Sequence, residues 1–277
     1  MGLSDDRAAL RAACDPDVGL CTIVGIEGSF SRRLGAQLAV RPDGSVVGSL
    51  ADGCLERQLA SEIAAADAPI VRRFGRGSDL IDFRLPCGSG LDLLIGPAPD
   101  RAAARAAVAE LDARRPAALA LPATGSLLRD RCYIPPPRLL IFGEGPEPAA
   151  LRQFAGAGGL AVDMHGSADG LSLGHAPRGL SVDPWTAIVL LFHDHEWEGA
   201  ILDWALDTPA FFIGAQGGAE TRVARLAGLA AKGRGPDQLA RIHSPVGLIP
   251  RTREPGVLAL SILAQIAGEY EALHPHG

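Results

Sequence analysis

The spacing of apolar and polar positions divides the chain into two halves of different periodicity. In the first half, short apolar runs are separated by turns. Residues 20–25 form a run rich in β-branched side chains, and residues 36–40 and 45–48 flank Pro42-Asp43-Gly44, a turn with proline leading and glycine closing. Residues 70–74, 80–85 and 91–95 read as further strands. A helix is predicted from 54 to about 66, because Leu55, Leu59 and Ile63 recur every four residues and share a face, with Pro69 beyond its end. A second, alanine-rich helix is predicted over about 101–113. Residues 122–134 read as irregular, and Pro135-Pro136-Pro137 then stiffens the chain and excludes a helix. The domain boundary is placed there, giving domains of 1–134 and 138–277.

The second half alternates strand and helix. Strands are predicted at 138–142, 160–163, 187–192 and 210–214, with helices at about 146–157, 199–206, 218–231 and 255–273. Short, continuous apolar strands between helices indicate a parallel sheet covered on both faces. The fold class is therefore α/β: a mixed α/β N-terminal domain followed by a Rossmann-like parallel-sheet domain. After the first strand comes Gly143-Glu144-Gly145-Pro146-Glu147-Pro148, a glycine turn between strand and helix. Asp163 follows twenty positions past Gly143 and is read as the end of the next strand, where such folds hold a ribose. Pro148 takes the place of the third glycine, and Glu144 puts negative charge where a pyrophosphate would lie. The scaffold survives these changes, but tight NAD(P) binding is not expected. His193-Asp194-His195-Glu196 follows a strand, so His193 and Asp194 join Gly143, Gly145 and Asp163 as candidate nucleotide or ligand contacts.

Composition narrows the classes. The 277 residues are 47% hydrophobic and carry a net charge of −6, which supplies a core and argues against nucleic-acid binding. The apolar runs are too short to span a bilayer, and the first eighteen residues lack the continuous apolar segment of a signal peptide. A cytoplasmic protein without a membrane partner is expected. The five cysteines, Cys14, Cys21, Cys54, Cys87 and Cys132, are odd in number and include no CxxC pair, so reduced thiols are expected rather than a disulfide framework.

Candidate chemistry concentrates in three glycine-rich stretches of the first half: Gly28 to Ala36, Gly48 to Glu56, and Pro86 to Gly90. Glycines let backbone N–H groups approach an anion, and Arg32 and Arg33 add donors whose fork suits phosphate. Cys54 follows Gly53 at the start of a helix, where the N-terminal dipole favours a thiolate. Cys87 lies in a glycine turn between strands. Cys54 and Cys87 are the candidate soft ligands, expected on one face of the first domain with Arg32 nearby.

These motifs resemble the XdhC/CoxI family of accessory proteins for xanthine-dehydrogenase-type molybdoenzymes. The first is similar at Gly28, Ser29, Arg32, Gly35 and Ala36, the second at Gly48, Ser49, Gly53, Cys54 and Glu56, and the third at Cys87 and Gly88. The second half resembles the family at Phe142-Gly143, Gly145, His193-Asp194 and Arg241 to Leu248. Ser31, Ala51-Asp52, Ser89, Pro146 and Pro148 depart from the family pattern. The resemblance implies a maturation chaperone that binds the molybdenum cofactor, a molybdopterin of unspecified form, through Gly28, Ser29, Arg32, Gly35, Gly53, Cys54, Glu56, Cys87 and Gly88. It implies an apo-molybdoenzyme of the xanthine dehydrogenase type and a cysteine desulfurase as partners, is compatible with a homodimer, and implies no catalytic turnover of the chain's own. The residues also leave open an NAD(P)-dependent oxidoreductase, or an accessory factor for carbon monoxide dehydrogenase.

Overall fold

The computed structural model describes residues 5–51, 53–79, 88–125 and 128–275. They form two compact units that divide between Pro135 and Pro136.

The first unit runs α1 (Asp5–Ala12), β1 (Gly19–Glu27), β2 (Gln37–Val40), β3 (Val46–Val47), α2 (Cys54–Ala65), β4 (Ile70–Gly75), β5 (Gly90–Gly96), α3 (Arg101–Asp112), β6 (Ala117–Ala120) and β7 (Asp130–Tyr133). Its main sheet has the order β3-β2-β1-β5-β4, and every neighbouring pair is antiparallel. Side chains alternate across it as a period of two requires. Cys21, Ile23, Leu38 and Val40 face one way, into a core closed by Leu55 and Leu59 of α2. Leu20 and Ala39 face the other way, onto Leu10 of α1 and Ala104, Ala107 and Leu111 of α3. The sheet is thus covered on both sides, and the spacing of Leu55, Leu59 and Ile63 is the face by which α2 docks.

Antiparallel pairing dictates which connections share an end of this sheet. β1, β3 and β4 point one way, and β2 and β5 the other. The carboxyl ends of β1, β3 and β4 therefore meet the amino ends of β2 and β5. The three connections at that end are β1–β2, β3–α2 and β4–β5, and these carry the three glycine-rich stretches.

Several local expectations are corrected. The strand at 45–48 shrinks to Val46–Val47. The segment read as irregular, 122–134, contains β7, paired antiparallel with the unanticipated β6. The first eighteen residues contain α1, whose apolar face had no continuous run to reveal it. The strand expected at 80–85 lies outside the described residues.

The second unit runs β8 (Arg138–Gly143), α4 (Pro146–Ala157), β9 (Ala161–His165), β10 (Thr186–Leu191), α5 (Glu198–Leu206), β11 (Phe212–Ala215), α6 (Ala219–Ala231), α7 (Pro236–Ala240), β12 (Ile242–His243) and α8 (Pro255–Ala272). Its five strands are parallel in the order β12-β11-β10-β8-β9. Leu140, Phe142, Ile188 and Leu190 pack against α5 and α6 on one face. Leu139, Ile141, Val189 and Leu191 pack against α4 and α8 on the other. Both faces are apolar, which explains the continuous rather than alternating runs in the sequence. The strand order reverses between β8 and β10, where open α/β sheets form a crevice at the carboxyl ends. The short α7 and β12 were not anticipated. Among the described residues no helix is long and apolar enough to cross a membrane.

Candidate functional site

In the first unit, hydrogen bonds and close contacts link the three glycine loops gathered at one end of the sheet. Gly28 takes φ +83°, and a side chain there would touch Ser89 at 3.7 Å, so the first and third loops are in contact. Arg32 Nε donates to the Ser49 carbonyl at 2.9 Å and joins the first loop to the second. Arg32 therefore acts as a tie between loops, which narrows the free phosphate fork expected of it. Gly35 is buried, and its N–H donates to Ile23 O at 2.8 Å, so this glycine completes the turn into β2 and offers no donor to a ligand. Ser29 and Gly88 are exposed.

Glu56 also changes role. Its side chain is buried, and its two carboxylate oxygens accept three backbone N–H groups: Leu50 at 3.0 Å and Ala51 at 2.7 Å on Oε1, and Gly53 at 2.6 Å on Oε2. Burial pushes its acidity down, but the backbone donors, Ala51 first, outweigh this and hold the carboxyl below its ordinary value. The donors that the sequence assigned to an anionic ligand are thus occupied from within. Glu56 shapes the loop instead of contacting a ligand.

The clamp leaves Cys54 at the first position of α2, exposed, after Gly53 in a left-handed conformation (φ +89°). Arg57, one turn along, places its guanidinium 3.2 Å from Cys54 Sγ. Its helical spacing, i to i+3, was the available signal, and the sequence reading passed over it. Near the third loop, Arg73 pairs with Glu27 and with Asp92, the latter at 3.0 Å, and Arg76 lies 3.7 Å from Glu27. Cys87 lies outside the described residues, so its distance from Cys54 is not part of this geometry. Among the described residues no group of three or more histidine, cysteine, aspartate or glutamate side chains is arranged to hold a metal ion. Cys21 is fully buried and its thiol is pushed up to about 12 by that burial.

In the second unit, Gly143 and Gly145 stand at the carboxyl end of β8. A side chain on Gly143 would overlap the Leu191 carbonyl of β10, so only glycine fits. Gly145 precedes α4 at φ +100°. Glu144 Oε1 accepts from Ser167 N at 2.6 Å, and the Ser167 contacts, side chain and backbone, hold the carboxyl below its ordinary value. An ionised carboxylate thus crosses from the glycine turn to the loop after β9. His193 is exposed at the end of β10, with Nε2 3.2 Å from Glu147 Oε2 in the first turn of α4. Asp194 accepts from Glu196 N at 3.0 Å and caps the turn that follows. Gly143, Gly145 and His193 are therefore together at the switch point, and Asp163 is not with them. It lies in mid-strand opposite Leu140, exposed, while His165, opposite Phe142, ends β9. The strand continues two residues beyond the position where it was expected to stop, because Met164 pairs with Ile141 and prolongs the ladder.

The family described as XdhC and CoxI matches residues 14–75, and the XdhC Rossmann domain matches residues 139–266. A relative from Escherichia coli (strain K12), the molybdenum cofactor insertion chaperone PaoD, is 33% identical over 96% of this chain and 89% of its own length. A crystal structure described as a xanthine dehydrogenase from Bacillus halodurans is similar in fold, with a TM-score of 0.74 at 22% identity, covering 99% of this chain and 97% of that one.

Proposed function

The chain belongs to the XdhC and CoxI family, and from that premise we propose that it is a maturation chaperone that binds the molybdenum cofactor. In this reading it shields the cofactor in the cytoplasm, presents it to a cysteine desulfurase for sulfuration, and delivers it to an apo-enzyme of the xanthine dehydrogenase type. The name of the Escherichia coli relative supports cofactor insertion as the task.

The observation that carries the proposal is the gathering of three motif loops at one end of the antiparallel sheet, around exposed Cys54. The cargo is an anionic pterin dithiolene that holds a metal, so the recognising surface should combine a soft donor with positive charge. Cys54 supplies the sulfur. Arg57 supplies a guanidinium 3.2 Å from it, without a carboxylate partner among the described residues. Glu56 and Arg32 hold the loops that present them. Cys87 and Gly88 complete the proposed set by their place in the third motif.

NAD(P) has no part in this reading. Glu144 brings negative charge to the glycine turn, and Pro146 and Pro148 in the first turn of α4 remove two N–H donors that a pyrophosphate would use. Calorimetry showing low-micromolar NAD(H) affinity would restore the oxidoreductase alternative.

The direct test is Cys54→Ser. The substitution nearly preserves volume while replacing a soft sulfur with a hard hydroxyl. Molybdenum retained after desalting should fall, as should activation of a partner apo-enzyme. Cys14→Ser is the control, since that thiol is partly buried and lies 3.5 Å from the Leu10 carbonyl. Equal retention in both variants would remove Cys54 from the site.

A further inference from the structure

We propose that α8 is a self-pairing surface, through which two copies of this chain associate by an antiparallel helix contact about a twofold axis. Between Glu254 and Glu269 the chain carries no charged residue, and Ser261 and Gln265 are its polar side chains there. Both are used within the unit. Ser261 is buried and its hydroxyl accepts from Ile249 N at 2.7 Å, while Gln265 Oε1 accepts from Gly247 N at 2.7 Å. One side of α8, with Leu258, Ala259, Ile262 and Ile266, packs against the sheet. The opposite side, with Val257, Leu260, Ala264, Ala267 and Gly268, is equally apolar but exposed. A helix that is apolar all round is one that is covered all round, and here half of the cover is missing.

Neighbouring segments widen this face. The Leu248 and Ile249 N–H groups donate to the Ser261 carbonyl and hydroxyl, which fixes these two exposed side chains along one flank of the helix. Phe154 of α4 lies along the other flank, 3.6 Å from the point where Gly256 would carry a side chain. Phe154, Leu248, Ile249, Val257 and Leu260 are half of the ten large apolar side chains exposed among the described residues. Exposed apolar surface is therefore concentrated here, as at an association site, and not scattered singly.

The face itself identifies the occupant as a second copy. In a twofold contact, residue i meets j and j meets i. When two α8 helices run antiparallel and cross at Ile262, Leu260 falls opposite Ala264 of the second copy, Val257 opposite its Ala267, and Gly256 opposite its Gly268. Each large side chain thus meets a small one, as ridges entering grooves require. Gly268 has open space where a side chain would stand, and the Phe154 ring beside Gly256 is placed to fill it. The charges agree with the shape. Arg253, exposed just before the helix, falls opposite Glu271 of the second copy, exposed in the last turn. The two ends of the face therefore carry opposite signs, and only an antiparallel pairing joins them. A parallel pairing would set Arg253 against Arg253 and Leu260 against Leu260.

Sedimentation velocity of the full chain across the micromolar range tests the proposal, and a concentration-dependent monomer–dimer equilibrium is expected. Ala264→Glu, at an exposed position where a helix tolerates glutamate, sets a charge against Leu260 of the second copy and should weaken association about 100-fold or more. Val223→Glu, at an exposed position of α6 on the other face of the sheet, should leave it unchanged. Arg253→Glu and Glu271→Arg should each weaken association about fivefold or more, since each reversal spoils two symmetry-related pairs. Together in one chain they should restore it, because the facing charges are again opposite. A chain that stays monomeric throughout, a dimer that withstands Ala264→Glu or is lost equally in Val223→Glu, or reversals that do not rescue each other would each overturn the proposal. None of these readings uses Cys54 or molybdenum, so failure here and failure of the chaperone reading are distinguishable.

Discussion

Replacing Glu56 by glutamine tests whether this residue holds the Cys54 loop or contacts a ligand. The carboxylate accepts three backbone N–H groups with two oxygens. Glutamine keeps one oxygen, which can still serve Leu50 and Ala51, but its NH2 group must then face the Gly53 N–H, and two donors repel. One half-buried donor loses its partner, which costs about 2 kcal/mol, and the two surviving bonds lose charge assistance worth about 1 kcal/mol together, roughly 3 kcal/mol in all. At 1.4 kcal/mol per decade, local opening of the loop becomes about 100-fold more frequent. Amide hydrogen exchange of Leu50, Ala51 and Gly53 reads this directly, with amides of β5 as an internal reference.

The same residue predicts a pH dependence. Its folded carboxyl titrates below the ordinary value of 4.5. A depressed carboxyl contributes stability above its unfolded value and loses it as pH falls through the folded one. Protection of the three amides should therefore drop as pH falls below about 4.5 in the native chain, and stay flat there in Glu56→Gln. If native and variant chains exchange alike at pH 7, Glu56 is not the clamp, and its place in the motif would again point to ligand contact.

Three further outcomes are expected. Gly143→Ala should destabilise the second unit by about 3 kcal/mol or more, because the new methyl meets the Leu191 backbone and neither strand can give way. Urea unfolding followed by tryptophan fluorescence reports on it, since Trp185, Trp197 and Trp204 all lie in that unit, and an unchanged midpoint would contradict the close approach of β8 and β10. Arg225→Ala should cost about 3–5 kcal/mol, because Glu198, 2.6 Å from Arg225 and equally buried, would be left without its counter-charge. The same unfolding curve checks it, and Arg225→Ala with Glu198→Ala should recover part of the loss. Iodoacetamide at pH 8 should label Cys54 while leaving Cys21 untouched until urea is added, as mass spectrometry of the peptides would show. Because burial raises the Cys21 thiol to about 12, its contribution to stability is present below the ordinary value of 9.0 and is lost as pH rises through that interval.

Much of this protein was written in its local sequence. The four-residue recurrence of Leu55, Leu59 and Ile63 sufficed for α2, and the continuous apolar runs from Arg138 onward sufficed for a parallel sheet covered on both faces, because burial on two sides leaves no polar alternation. The glycine motifs marked the loops that matter, since turns and close approaches demand glycine at Gly28, Gly53 and Gly143 whatever surrounds them. Sequence could not say what these loops do to one another. Strand direction, which depends on pairing across distant segments, brought the β1–β2, β3–α2 and β4–β5 connections to one end of the sheet. Hydrogen bonding in three dimensions then turned Glu56 inward onto its own loop, tied Arg32 to Ser49, and set Arg57 beside Cys54. It likewise extended β9 past Asp163 to His165, because the ladder with β8 outweighs a boundary guessed from apolar residues alone. Residue type and spacing identify where chemistry can reside, but a donor or a charge is available to a ligand only if the fold has not already used it.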